Sequence, residues 1–131
     1  MENVLSAQVL ASMNARFAVL NFGHYALPVH FRVRGPVVDC QVPIWAGSSE
    51  LLKTRADVTL VVAQEAGPDL LWLFARGSAA LQPDPDWEGF SDLRNDRARL
   101  NDLYELVRID PKRLELFDER RGWGFRETVD L

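Results

Sequence analysis

Polar and apolar residues alternate with a period of two through the middle of the chain. Leu27, Val29, Phe31 and Val33 alternate with Pro28, His30, Arg32 and Arg34. After Gly35-Pro36, Val38, Cys40, Val42 and Ile44 alternate with Asp39, Gln41, Pro43 and Trp45. Each run predicts a strand with one greasy and one polar face. The apolar run at residues 17–22, followed by Gly23-His24, predicts a preceding strand and turn. Pro28 and Pro43 have no N–H to give a ladder, so each belongs at an edge, a bulge or a strand end. Ahead of these strands, Val4, Leu5, Val9 and Leu10 recur at helical spacing and predict a short amphipathic helix over residues 3–13.

Beyond Gly47-Ser48-Ser49 the pattern predicts one or two turns of helix over 49–55, capped by a serine. Residues 58–63 read as a strand, Gly67-Pro68-Asp69 as a turn and residues 70–81 as a long strand. Gly77 inside that strand marks a bulge or a bend. Pro83-Asp84-Pro85-Asp86 breaks the sheet, and Leu93, Leu100 and Leu103 predict a second helix at about 91–103. Two last strands, 104–109 and 113–117, are split by Asp110-Pro111. This order predicts one domain over residues 1–131, mainly β with flanking helices: a six-stranded antiparallel barrel, not a parallel doubly wound sheet. Val29, Phe31, Val42, Val58, Leu60 and Val62 are its expected interior. No G-x-G-x-x-G or Walker loop is present.

The 131 residues carry a net charge of −4, which argues against nucleic acid as a partner, since phosphate backbones need a basic face. Residues 1–63 are net +1 and residues 64–131 net −5, so an anionic ligand is more at home near the first half. A single cysteine, Cys40, excludes an intrachain disulfide, and its apolar neighbours make it a core residue rather than a nucleophile. Two histidines, His24 and His30, make a metal site a poor expectation. No apolar run reaches membrane-spanning length and Met1-Glu2-Asn3 opens no basic leader, so the expected location is the cytoplasm.

Four segments in order resemble one family. Gly23 with Leu27-Pro28-Val29, the Gly47-Ser48-Ser49 turn leading to Asp57-Val58-Thr59-Leu60, the strand Arg76-Gly77-Ser78-Ala79-Ala80-Leu81, and the closing run from Tyr104 to Phe117 are similar to the pyridoxamine 5′-phosphate oxidase-like, flavin mononucleotide (FMN)-binding split barrels. The resemblance covers most of the chain. It implies a homodimer holding FMN, with redox chemistry on a small molecule. It places the cofactor near Pro28, Trp45, Ser48, Ser49, Lys53 and Arg55. Two positions depart from the family pattern: Glu50 stands where the phosphate turn carries a base, and Leu27-Pro28 stands where the oxidase strand carries an arginine.

The residues themselves leave alternatives. Ser48, Ser49, Lys53 and Arg55 form either a phosphate cradle at a helix start or an ordinary cap with an exposed basic helix. His30, Arg32 and Arg34 share a strand face, and solvated side chains there are the simpler expectation than an anion site. Trp45 lies on a polar strand face where an indole can cover a flat ring, whereas Trp72 is expected in the core. Trp123-Gly124-Phe125, in a charged tail, folds either on its own barrel or on a partner subunit. Two functions stay open: an FMN-dependent oxidoreductase, or a split-barrel dimer that has lost or changed its cofactor and acts as a binding protein.

Overall fold

A computed structural model describes residues 18–22, 25–54, 56–66, 68–90 and 97–131. The expected helix at 3–13, the Gly23-His24 turn and Arg55 lie outside them. The described residues form seven strands: β1 (Ala18–Phe22), β2 (Tyr25–Arg34), β3 (Val37–Pro43), β4 (Asp57–Ala66), β5 (Asp69–Leu81), β6 (Tyr104–Asp118) and β7 (Arg126–Asp130). Two short helices join them, α1 (Ser48–Thr54) and α2 (Arg97–Leu103). All pairings are antiparallel. The sheet runs β3-β2-β1-β4-β5-β6-β7, and β3 also pairs with β6, which closes six strands into a barrel.

The strand alternation predicts the interior well. Val29, Val42, Val58, Leu60 and Val62 are buried, and Phe31 packs partly buried against the same cluster. Leu20, Leu60, Ala75 and Leu114 lie side by side across four strands, which fills the barrel with side chains. Pro43 ends β3, and Pro28 lies where β2 pairs with β1 but its other edge is not yet joined to β3.

Two expectations change, at the last strands and at the C-terminal tail. The two last predicted strands are one strand of 15 residues, β6. Pro111 is tolerated because β3 leaves this edge at Ile109 and β7 joins it at Arg113, so the strand's missing N–H falls between partners. Opposite it, the register with β5 shifts between Arg76 and Gly77, the bulge that the glycine announces. A Cβ at Gly77 would run into the Asp110 carbonyl, so only glycine lets the two backbones meet there. The C-terminal tail carries β7, a strand that its charged sequence conceals. The second helix, expected at about 91–103, spans Arg97–Leu103, with residues 91–96 outside the described set.

The polar face of β3 is also buried, against the expectation of a solvated face. Residues 82–90 and α2 cross the outside of β3 and β6, packing Trp87, Phe90 and Leu100 over Leu106 with Tyr104 alongside. Beneath this cover Asp39 is fully buried. Arg32, Asp39 and Arg108 face one another directly across β2, β3 and β6. Asp39 receives hydrogen bonds from Arg32 Nη2 and from Arg108 Nε at 2.8 Å. Arg32 also donates to the Asp86 carbonyl at 2.6 Å and to that of Glu88, and its guanidinium lies 4.7 Å above the Phe90 ring. Burial alone would raise the Asp39 pKa, but the hydrogen bonds and charges of Arg108 and Arg32 win and hold it below the usual carboxylate range.

Two outcomes follow. Asp39→Ala leaves Arg32 buried without its counter-charge and should cost about 3–5 kcal/mol in urea unfolding. Because the folded pKa lies below the unfolded one, the stabilisation from Asp39 is fully present above about pH 4 and is lost as pH falls further. In Asp39→Asn this part of the acid destabilisation should vanish. Gly77→Ala is expected to destabilise by about 1–3 kcal/mol, because the clash is with backbone and no rotamer relieves it. An unchanged midpoint in chemical denaturation would show that the bulge tolerates a Cβ.

Candidate functional site

The corner singled out by the sequence begins where β3 ends. Residues Ile44–Ala46 form a single 3₁₀ turn, closed by Gly47 at φ 70°, whose N–H donates to the Ile44 carbonyl at 3.1 Å. The Gly47 carbonyl then accepts from Glu50 and Leu51 N–H, each at 3.1 Å, and starts α1. One glycine ends the first turn and opens the second because it alone adopts this left-handed conformation without cost. The cap is therefore Gly47 and not a serine.

This geometry separates the expected phosphate residues. Ser48 is buried, and its hydroxyl donates to Glu105 Oε1 of β6 at 3.2 Å, so it faces the barrel wall and not an incoming ligand. Ser49 is half-buried. Glu50 and Lys53, one turn apart on α1, are exposed and paired at 3.2 Å. The Lys53 charge is thus shared with the carboxylate that replaces the expected base. Trp45 sits on the 3₁₀ turn with 77% of its surface exposed, a large apolar area for an unpartnered indole. Pro28 is exposed on β2. The β2–β3 ladder starts with His30 opposite Gln41, two residues beyond Pro28, and β3 ends at Pro43, where the Trp45 turn begins.

The remaining candidates fall elsewhere. Arg32 is not a solvated side chain but a nearly buried strut under residues 86–90, with 9% of its side chain exposed. Arg34 is half-buried and pairs with Asp86 at 3.0 Å, and His30 is exposed on the same strand. Trp72 is not in the barrel interior: it lies half-buried on the outer face, stacked on Phe117 at 5.3 Å, with Phe74 edge-on to the same ring. Cys40 is fully buried, and burial pushes its thiol pKa far up, which leaves it inert as a nucleophile. Trp123 is 99% exposed at the tip of the turn joining β6 to β7. The turn is braced by Asp118, which accepts from Arg120 Nε at 2.9 Å, and by Arg121 over the Phe125 ring at 5.2 Å.

Sequence reasoning passed over Trp87 and Glu105. The Trp87 indole is buried and donates to Asn101 Oδ1 at 2.7 Å, and Glu105 holds Ser48. Both contacts join segments far apart in the chain, and no local pattern signals them.

No protein-family model matches the chain, and no curated protein does. Solved structures match it over nearly its whole length. A Clostridium acetobutylicum protein related to general stress protein 26, described as of the pyridoxinephosphate oxidase family, superposes with a TM-score of 0.73 at 10% identity, covering 98% of this chain and 94% of that one. A putative pyridoxamine 5′-phosphate oxidase from Listeria innocua gives 0.67 at 17% identity, covering 86% and 98%. A heme binding protein from Mycobacterium smegmatis gives 0.63 at 15% identity, covering 99% of this chain and 58% of its own. Among the described residues no helix is long and apolar enough to cross a membrane. The closed six-stranded barrel, with β7 added along β6, is the split-barrel fold of the pyridoxamine 5′-phosphate oxidase-like proteins.

Proposed function

We propose that this chain is a flavin-binding split-barrel protein, active as a homodimer in electron transfer to a small molecule. The observation that carries the reading is Trp45, an indole left 77% exposed beside the start of α1 on a fold whose interior is already filled. A flat aromatic ring laid on Trp45 and Pro28 would cover that apolar surface. The corner fits such a cofactor, with a weakened grip on its phosphate: Ser48 is committed to Glu105, which leaves Ser49 at the helix start and Lys53 in its last turn, with Arg55 two residues further along the sequence. A bound flavin supplies the redox chemistry. The chain contributes ring burial, a hydroxyl from Ser49 and a cation from Lys53.

A second reading rests on the same two contacts. The Ser48–Glu105 hydrogen bond and the Glu50–Lys53 pair leave the turn poor in free donors and positive charge, which favours a cofactor without a phosphate, or none. The heme-binding neighbour indicates that this fold accepts other flat ligands. The chain is then a binding protein on the same barrel.

Titration of the apo protein with FMN and riboflavin, followed by flavin fluorescence, separates the readings. FMN is expected to bind more tightly than riboflavin. Glu50→Gln, which releases Lys53 from an exposed pair worth about 0–1 kcal/mol, should widen that preference by roughly threefold. Lys53→Ala should narrow it by roughly tenfold or more. Equal affinity for FMN and riboflavin in the wild type would remove the phosphate from this corner. Binding of neither hands the function to the second reading.

The homodimer has its own test. Trp123 on a braced turn is suited to bury itself in a second subunit. Sedimentation at micromolar concentration should give a dimer, weakened in Trp123→Ser. A wild-type monomer would overturn the assembly.

A further inference from the structure

We propose that the β5–β6 bulge builds an anion site on the outer face of the barrel, shaped for a small phosphorylated organic molecule bearing hydroxyl groups. The site is a cavity of about 660 Å³. It shares no residue with the Trp45 corner and lies past the other end of α1, where β4 begins.

The register dictates who meets there. Asn21 of β1 faces Thr59 of β4, Thr59 faces Arg76 of β5, and Arg76 faces Arg113 of β6. Strand pleating puts these four on the outside, since their neighbours Leu20, Leu60, Ala75 and Leu114 point inward. In a regular strand Lys112 would then point to the opposite face from Arg113. The bulge removes that alternation: β5 passes from Arg76 to Gly77 while β6 passes from Arg113 to Pro111, so Lys112 is the extra residue. Both Lys112 and Arg113 consequently line the same cavity as Arg76. Gly77 is what permits the bulge, because any side chain there meets the Asp110 carbonyl.

Three cations on one surface repel one another, and carboxylates behind them offset this. Arg76 pairs with Glu115 at 3.1 Å, Lys112 with Asp110 at 2.8 Å and Arg113 with Asp130 at 3.7 Å. None of those three acids lines the cavity. The two arginine pairs run through Nε, the inner nitrogen, and the cation side chains are all more than half exposed. The carboxylates hold the cations from outside the cavity lining, and at Lys112 and Arg113 an incoming dianion competes only with exposed pairs of small worth.

The walls differ in kind, which selects the ligand. Cations come from β5 and β6. The β1–β4 side supplies Asn21, Thr59 and Asp57, and Asp57 is the one carboxylate among the lining residues. Asp57 repels a bare anion but accepts hydrogen bonds from hydroxyls. A phosphate ester satisfies both walls, its phosphate at Arg76, Lys112 and Arg113 and its hydroxyls at Asp57. The volume is also that of an organic ligand and not of a lone phosphate.

Calorimetric titration with ribose 5-phosphate, inorganic phosphate, sulfate and ribose tests the site. The sugar phosphate should bind saturably and more tightly than inorganic phosphate or sulfate, and ribose should not bind. Arg113→Ala and Lys112→Ser should each weaken the sugar phosphate by roughly tenfold or more. Asp57→Asn should weaken it while leaving inorganic phosphate no weaker. Arg76→Gln strands the nearly buried Glu115, so the two exposed β6 cations carry the test, with circular dichroism confirming their fold. Absence of saturable sugar-phosphate binding, or binding indifferent to both β6 variants, overturns the proposal. Flavin titration of the same variants keeps the two sites apart: Arg113→Ala and Lys112→Ser should bind flavin as the wild type does, and Lys53→Ala should bind the sugar phosphate normally.

Discussion

A buried carboxylate determines where this barrel closes. Asp39 stands on the strand that completes the ring, opposite Arg32 on one side and Arg108 on the other. A slip of one residue in either pairing would turn Asp39 into the apolar interior, where Cys40 and Val42 now sit, and strand both arginines. Hydrophobic alternation alone tolerates slips of two residues. The charge row does not, because its members must meet side by side. Arg32 then carries the constraint outward. By binding the carbonyls of Asp86 and Glu88 and lying over Phe90, it ties the crossing segment to the seam, and that segment in turn keeps water from Asp39.

The legible part of the fold was the part governed by nearest neighbours. Period-two alternation located β2, β3, β4 and β5, and glycine and proline chemistry located the bulge and the strand ends. The burial of the second face of β3 could not be read in this way. Asp39 and Gln41 look solvated because a polar residue on alternate positions usually is, and their cover comes from residues more than forty positions later. The same limit hid the contacts of Ser48 and Trp87. Pro111 misled in the opposite direction: it read as a break because its tolerance depends on two different strands leaving and joining one edge.

The candidate site was legible as a place and less so as a set of side chains. Gly47 and the start of α1 stand where the pattern puts them, whereas Trp45, expected on a strand face, sits on the 3₁₀ turn that follows β3. Sequence does not distinguish the two serines, yet helical geometry turns Ser48 to the barrel wall and leaves Ser49 half-buried. Glu50 was recognisable as a departure from its identity alone. Only the structure shows that it also occupies Lys53, so one substitution weakens the turn twice, by adding a negative charge and by engaging the nearest positive one.

Charge counted along the chain proved a poor guide to charge in space. The first half is the more basic by count, which favoured an anion there. Yet a cavity lined by three cations draws all of them, Arg76, Lys112 and Arg113, from the acidic half. Each of these cations is paired with an acid of the same half, Glu115, Asp110 or Asp130, and none of those acids lines the cavity. Net charge sums over a segment, whereas a ligand meets only the side chains that one face presents. The bulge decides that face: without the extra residue in β6, alternation would send Lys112 and Arg113 to opposite sides, and the same composition would make no site.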